Sequence, residues 1–268
     1  MNRMQVLLGK FLIIFKNIIY DQKEGKIMAH FVCSDLHGQY WAWEKIKGLL
    51  NENDNLIFLG DAIDRGPDGI KIAMEILARP NTTYIMGNHE DMMIDYMLYH
   101  GWDYNCKKIW YYNGGETTHK ALKSLDAETR NNFLKQIADL PLEATYERED
   151  GLVFSFTHAG YTPSKKREPD RDQVIWDRKH YLDDDKWDEK EFPNFVIVHG
   201  HTPVQYIVED RNNIKHFYNI FNNDEAIPDG AFYYCNGHKI DIDCGVHYTG
   251  YTALLNIDTM KEIVITKD

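Results

Sequence analysis

Asp, His, Asn and Arg gather in a few short stretches of this chain. "SDLHG" (34–38) carries Asp35 and His37, "GDAIDRGPDG" (60–69) carries Asp61, Asp64 and Arg65, and "GNHE" (87–90) carries Asn88 and His89. Further along, "THAG" (157–160) supplies His158 and "GHTP" (200–203) supplies His201. Carboxylate, amide and imidazole donors without thiolate are ligands for divalent ions of intermediate to hard character: Mn, Fe, Zn or Mg. Asp35, His37, Asp61, Asn88, His158 and His201 make six such groups, too many for one ion that keeps open positions. They suit two ions sharing one bridging carboxylate. Two ions roughly 3.5–4 Å apart clamp a phosphoryl group for in-line displacement, with a bridging water turned to hydroxide near neutral pH. His89, adjacent to Asn88, is the candidate to protonate a leaving alkoxide. A histidine in that role is oriented by a carboxylate on its other ring nitrogen, and Asp64 is available for it. Arg65 can present a bidentate fork to phosphate.

These residues need elements that bring them to one place. Each cluster follows a short apolar run: "KIMAHFVC" (26–33), "NLIFL" (55–59), "TTYIM" (82–86), "LVFSFT" (152–157) and "FVIV" (195–198). Runs of this length and type predict strands buried on both faces. Helical spacing lies between and after the first three, in Trp43/Ile46/Leu50, Ile70/Ala73/Met74/Leu77 and Met93/Tyr96/Met97. The alternation predicts a mostly parallel β-α-β core with right-handed crossovers. Ligands of open α/β sheets bind outside the carboxyl ends of the strands, and every polar cluster is expected there. From 204 onward, "VQYIV", "AFYYC", "KIDIDCG", "YTALLNID" and "EIVIT" read as short strands of an antiparallel second sheet packed on the first. Residues 99 to 143 predict a mostly helical insertion. Its aromatic cluster (Tyr99, Trp102, Tyr104, Trp110, Tyr111, Tyr112) would form a small subcore.

The totals bound the partners. A chain of 268 residues can bury a substantial core in one large α/β domain. A net charge of -12 argues against a general binder of nucleic acid or anionic membrane, so phosphate must be held by a few Arg or by metal. Cysteines 33, 106, 235 and 244 show no CxxC or framework spacing, which fits reduced thiols in a cytoplasmic protein. "LLGKFLIIFKNIIY" (7–20) is apolar and basic, but Lys10 and Lys16 leave no uncharged run long enough to span a bilayer. Residues 1–27 are therefore expected to be a loosely attached extension without stable membrane insertion, ahead of a catalytic domain over 28–268.

Taken in order, "SDLHG", "GDAIDRG", "GNHE", "THAG" and "GHTP" resemble the phosphoprotein phosphatase family of binuclear metallophosphoesterases, whose motifs are GDxHG, GDxxDRG and GNHE. "DRGPDG", "NGGETT" (113–118), "GHTPV" and "IDIDCG" (240–245) resemble its bacterial and phage branch. The resemblance covers roughly 28 to 258. It implies an α/β calcineurin-like sandwich of two mixed β-sheets flanked by helices. It also implies two divalent ions, Mn²⁺ first with Fe or Zn as alternatives. Asp35, His37 and Asp61 would hold the first ion, and Asp61, Asn88, His158 and His201 the second. His89 would be the proton donor paired with Asp64. Arg65 would grip phosphate together with a second Arg, best matched by Arg178 in "VIWDRKHY" (174–181).

Two positions depart from the pattern: Ser34 replaces the usual Gly, and His199 stands beside the expected ligand His201. The stretch 209–236 is longer than the family leads one to expect, and His216, Phe217, Tyr218 and Phe221 match nothing in it. The function implied is removal of phosphate from phosphoserine or phosphothreonine in proteins. Symmetrical hydrolysis of diadenosine tetraphosphate to ADP is the alternative, and a catalytically dead metal-binding regulator a third reading. Asp64 favours the protein phosphatase. His30, His100, His119, His180, His216, His238 and His247 stand in no motif and are expected to be structural.

Overall fold

The computed structural model describes residues 13–15, 28–99, 103–165, 169–183, 186–217 and 227–267. Most of the N-terminal extension, His100, Trp102, Tyr218 and Phe221 lie outside the described residues, as do the side chains of His216 and Phe217.

Two sheets face each other. One runs β11-β10-β2-β3-β4 and the other β1-β5-β6-β7-β9-β8. The first is built from β2 (His30–Cys33), β3 (Asn55–Phe58) and β4 (Thr82–Tyr84), all parallel, and the hairpin β10 (Tyr251–Asn256) and β11 (Lys261–Thr266). The second contains β1 (Ile13–Phe15), β5 (Glu143–Glu147), β6 (Val153–Thr157), β7 (Phe195–His199), β8 (Phe232–Tyr234) and β9 (Lys239–Asp241). Within it β6, β7 and β9 are mutually parallel.

Alternation along β3 shows how the layers form. Leu56 and Phe58 turn outward and join Trp43, Ile46, Ile70 and Ala73 from helices Tyr40–Leu49 and Gly69–Ala78. Ile57 and Leu59 turn inward and meet Phe154, Phe156, Val198 and Ile240 of the second sheet. Both faces of the strand are thus buried, which is why it reads as a continuous apolar run.

Four expectations need correction. "VQYIV" is not a strand but the start of helix Val204–Phe217. Val204, Ile207 and Val208, at i, i+3 and i+4, pack against Phe232 and Tyr234 on the outer face of the second sheet. In five residues that spacing does not distinguish helix from strand. The second sheet is mixed rather than antiparallel. The C-terminal hairpin leaves it altogether and pairs with the first sheet, Leu255 opposite Val32. Finally, the helices Tyr104–Tyr112, Glu116–Ser124 and Ala127–Ala138 build no separate subcore. Their Trp110, Leu122, Phe133 and Ile137 belong to the same apolar cluster as Met93 and Ile76.

Parallel order within each sheet brings the carboxyl ends of β2, β3 and β4, and of β6, β7 and β9, to a common rim. Among the described residues no helix is long and apolar enough to cross a membrane.

Candidate metal centre

The loops leaving those strands are tightly wound. Asp35, His37, Asp61, Asp64, Arg65 and His201 all take positive φ, between 43° and 71°. Side chains other than Gly, Asn and Asp rarely adopt that region, and such residues concentrate at functional sites.

Asp61 stands at the middle. Its Oδ2 lies 3.6 Å from His37 Nε2, 3.7 Å from His89 Nε2 and 3.5 Å from His158 Nε2. Its Oδ1 accepts the His89 backbone N–H at 3.0 Å. Two triads of donor atoms, His37–Asp61–His89 and Asp35–Asp61–His158, each fall within 4.8 Å, and Asp61 belongs to both. Asn88 Oδ1 lies 2.9 Å from His158 Nε2 and 2.8 Å from His201 Nδ1, and these two nitrogens are 3.1 Å apart. Asp35 accepts from Ser34 Oγ and, at 3.1 Å, from the His201 N–H through Oδ2, while its buried Oδ1 has no hydrogen-bond donor. The Ser in place of Gly therefore adds a donor to Asp35.

The tautomers follow from the outer partners. His158 Nδ1 donates to the Leu59 carbonyl at 2.7 Å and His37 Nδ1 to the Ile63 carbonyl at 3.0 Å. Each Nε2 is then a bare lone pair turned into the cluster. His158 Nε2 facing Asn88 Oδ1 at 2.9 Å is a meeting of two acceptors. The bare His158 Nε2 against Asn88 Oδ1, beside an unpartnered buried carboxylate oxygen of Asp35, fits a bound cation.

Electrostatics agree. Burial first, then the neighbouring Asp243, pushes Asp35 well above the carboxylate range, and burial with Asp35 and Glu90 does the same to Asp61. Burial pulls His158 down to about 3, and holds His37 and His201 well below their ordinary value. Neutral imidazole is the ligating form. For the metal-free protein the stability slope has a definite sign. A carboxyl whose folded pKa exceeds its unfolded one binds more protons when folded, so stability falls as pH rises between the two. The histidines act oppositely, but their contribution is complete above their ordinary value of 6.5. Chelated protein is thus expected to lose stability to urea as pH rises above 6.5, and added divalent ion to reverse the trend. A flat or rising profile would show that the carboxylates are not crowded as described.

Beside the cluster, His89 Nδ1 meets Asp64 Oδ2 at 2.7 Å. Burial pushes Asp64 up to about 7, opposed by hydrogen bonding from Thr118 and Trp110. Burial and Arg65 hold His89 low. Arg65 donates from Nη2 to His89 Nε2 at 3.2 Å and from Nη1 to His247 Nδ1 at 3.4 Å. Arg178 Nη1 donates to the His201 carbonyl at 3.4 Å and to Thr202 Oγ1 at 3.2 Å. His199 is buried away from the cluster, its Nε2 2.7 Å from the Tyr234 hydroxyl.

Sequence reasoning passed over several participants. Glu90, inside "GNHE", accepts from the backbone N–H of Asp61, Ala62 and Gly87 (2.8, 3.0 and 3.2 Å) and from Tyr84 OH at 2.8 Å, stapling two ligand loops together. Asp243, inside "IDIDCG", is buried close enough to raise Asp35. His247 stands in no motif, yet it lies beside Arg65.

The sequence pattern described as calcineurin-like phosphoesterase matches residues 29–241. The asymmetrical bis(5'-nucleosyl)-tetraphosphatase PrpE of Anoxybacillus flavithermus is 26% identical over 216 residues, 66% of this chain and 80% of that protein. Serine/threonine-protein phosphatase 2 of Escherichia coli is 29% identical over 164 residues, 56% of this chain and 71% of that protein. Among solved structures, one described as a candidate diadenosine tetraphosphatase superposes with a TM-score of 0.59 at 16% identity, covering 96% of this chain and 98% of that one. That likeness speaks for the fold. With the family match spanning most of the chain, and Asp and His gathered at the rim of a two-sheet sandwich, this protein belongs to the calcineurin-like phosphoesterases, hydrolases that use divalent metal.

Proposed function

We propose that this protein is a binuclear-metal phosphatase acting on phosphomonoesters, phosphoserine and phosphothreonine in proteins foremost. The observation that carries the reading is Asp61, common to both donor triads, with the His89–Asp64 pair beside it. Asp35, His37 and Asp61 would hold one ion, and Asp61, Asn88, His158 and His201 the other. Mn²⁺ suits such an O/N donor set, with Fe and Zn as alternatives. Bound ions would supply an activated water and neutralise charge on the phosphoryl oxygens.

The rest falls to the chain's own groups. Arg65 and Arg178 grip the phosphoryl oxygens and turn the ester oxygen toward His89. In the free protein Arg65 can only donate, so His89 Nε2 is an acceptor there. A phosphoryl group draws Arg65 away and frees Nε2 to carry a proton taken from solvent. Attack by a water oxygen forms one P–O bond as the ester P–O bond breaks. The electron pair stays on the leaving oxygen, which takes the Nε2 proton and departs as the alcohol. Asp64 holds Nδ1–H throughout.

The proton donor also bears on the substrate. A serine or threonine alkoxide is a poor leaving group and needs a proton, whereas a nucleotide released from a phosphoanhydride leaves as a stabilised anion. An oriented His–Asp pair therefore favours the monoester. Dinucleoside tetraphosphate cleavage is the second reading, favoured by the likeness to PrpE. Competition decides between them. Metal-stripped protein reloaded with Mn²⁺ is given a phosphoserine/phosphothreonine peptide and diadenosine tetraphosphate in one tube. Inorganic phosphate from the peptide with the dinucleotide intact is the expected result. ADP, or ATP with AMP, appearing first would overturn the protein-phosphatase assignment and leave the metal-dependent hydrolase.

A further inference from the structure

The helices Tyr104–Tyr112 and Glu116–Ser124, with "NGGETT" (113–118) forming the turn between them and the start of the second, touch the catalytic rim at three points. Trp110 Nε1 donates to Asp64 Oδ2 at 2.8 Å. The Asp64 backbone N–H donates to Thr118 Oγ1 at 2.9 Å. The Arg65 N–H donates to the Gly114 carbonyl at 3.1 Å. These bonds hold two consecutive left-handed residues, Asp64 at φ 69° and Arg65 at φ 62°. Trp110 and Asp64 are both fully buried. Gly115 is obligatory here, because a Cβ at that position would overlap the Trp110 ring.

Trp110 does more than fill space. Its indole N–H is donor only. It shares Asp64 Oδ2 with His89 Nδ1, so that one oxygen receives two donors, while Oδ1 has no hydrogen-bond partner. An oxygen flanked by two N–H groups has no place for a proton of its own. The imidazole proton therefore stays on Nδ1, and Nε2 remains the nitrogen turned toward Arg65 and the metal cluster.

We infer that Trp110 and Thr118 are positioning residues for proton donation, setting the orientation of Asp64 and through it the tautomer and aim of His89. The inference rests on the proposed role of His89 as proton donor. It gives "NGGETT" a purpose: a clamp that couples the helical segment to the acid end of the site.

The test uses leaving groups. Trp110→Phe keeps an aromatic ring against Tyr96 and His119 and removes only the N–H. On a phosphoserine peptide, kcat is expected to fall roughly 10–100-fold, the usual cost of removing an outer partner, with KM and metal content little changed. On p-nitrophenyl phosphate, whose leaving group departs without a proton, the fall should be within about threefold. Thr118→Val should show the same selectivity. In a His89→Ala background, Trp110→Phe should add nothing, because both act through one group. In metal-free protein, the downfield Nδ1 proton resonance lost in His89→Ala should shift in Trp110→Phe. Equal losses on both substrates, no loss on either, or additivity with His89→Ala would overturn the inference. If Trp110→Phe does not fold, Thr118→Val decides on the same criteria. If His89→Ala itself shows no leaving-group selectivity, the proton-donor reading fails first. Selectivity in His89→Ala but in neither clamp variant sinks this inference alone.

Discussion

His89→Ala is expected to lower kcat on a phosphoserine peptide by about 10²–10⁴-fold, the range for removing a general acid, while the metal content of the protein stays unchanged. The geometry makes the second half of that statement informative. His89 Nε2 lies 3.7 Å from Asp61 Oδ2 and falls within a donor triad with His37 and Asp61, so it stands close enough to be taken for a ligand. Its other nitrogen supports the proposed role of proton donor. Nδ1 is tied to a carboxylate at 2.7 Å rather than to a backbone carbonyl as in His37 and His158. A carboxylate partner raises imidazole basicity and supports a charged ring, as a proton carrier needs. Metal analysis alongside steady-state kinetics separates the two roles. Loss of one ion together with turnover would make His89 a ligand. Unchanged turnover would remove it from the chemistry.

Asp61→Asn is expected to weaken both ions together and to reduce activity by more than the roughly 10–100-fold that loss of an outer-sphere partner costs. The amide is nearly isosteric, and its oxygen can still accept the His89 backbone N–H that Asp61 Oδ1 takes at 3.0 Å. What disappears is the charge at the one position common to Asp35–Asp61–His158 and His37–Asp61–His89. Metal-free stability should move the other way. Asp61 is buried beside Asp35 and Glu90, whose charges push its carboxyl up, and an amide there removes the repulsion. Low metal content after reloading, combined with a urea midpoint above that of the chelated parent at pH 8, is the signature sought. Two ions retained at full occupancy would show that Asp61 bridges nothing.

What could be read from the chain alone was local. A run such as "NLIFL" is recognisable because a strand buried on both faces needs apolar residues at every position, and the Gly and Asp after it mark where the chain must turn. The donor types of Asp35, His37, Asp61, Asn88, His158 and His201 point to divalent ions of intermediate to hard character because no thiolate is among them. Their order along the chain carries the family resemblance. None of this needs knowledge of who touches whom. "VQYIV" shows the limit even at short range: five residues hold too little of either period, and the contact of Ile207 and Val208 with Phe232 settles the helix.

Tertiary structure decided the pairings and the environments. The hairpin Tyr251–Asn256/Lys261–Thr266 joins the first sheet because β2 offers an open edge, a fact held in residues more than two hundred positions away. Trp110 reaches Asp64 across 46 positions and His247 reaches Arg65 across 182, with no motif recording either contact. Burial likewise belongs to the fold. It neutralises His37 and His201, lifts Asp35 and Asp61, and so creates the demand for cations. Residue types determine which chemistry is available. The low dielectric and the long-range contacts that make it work arise only when distant segments pack together.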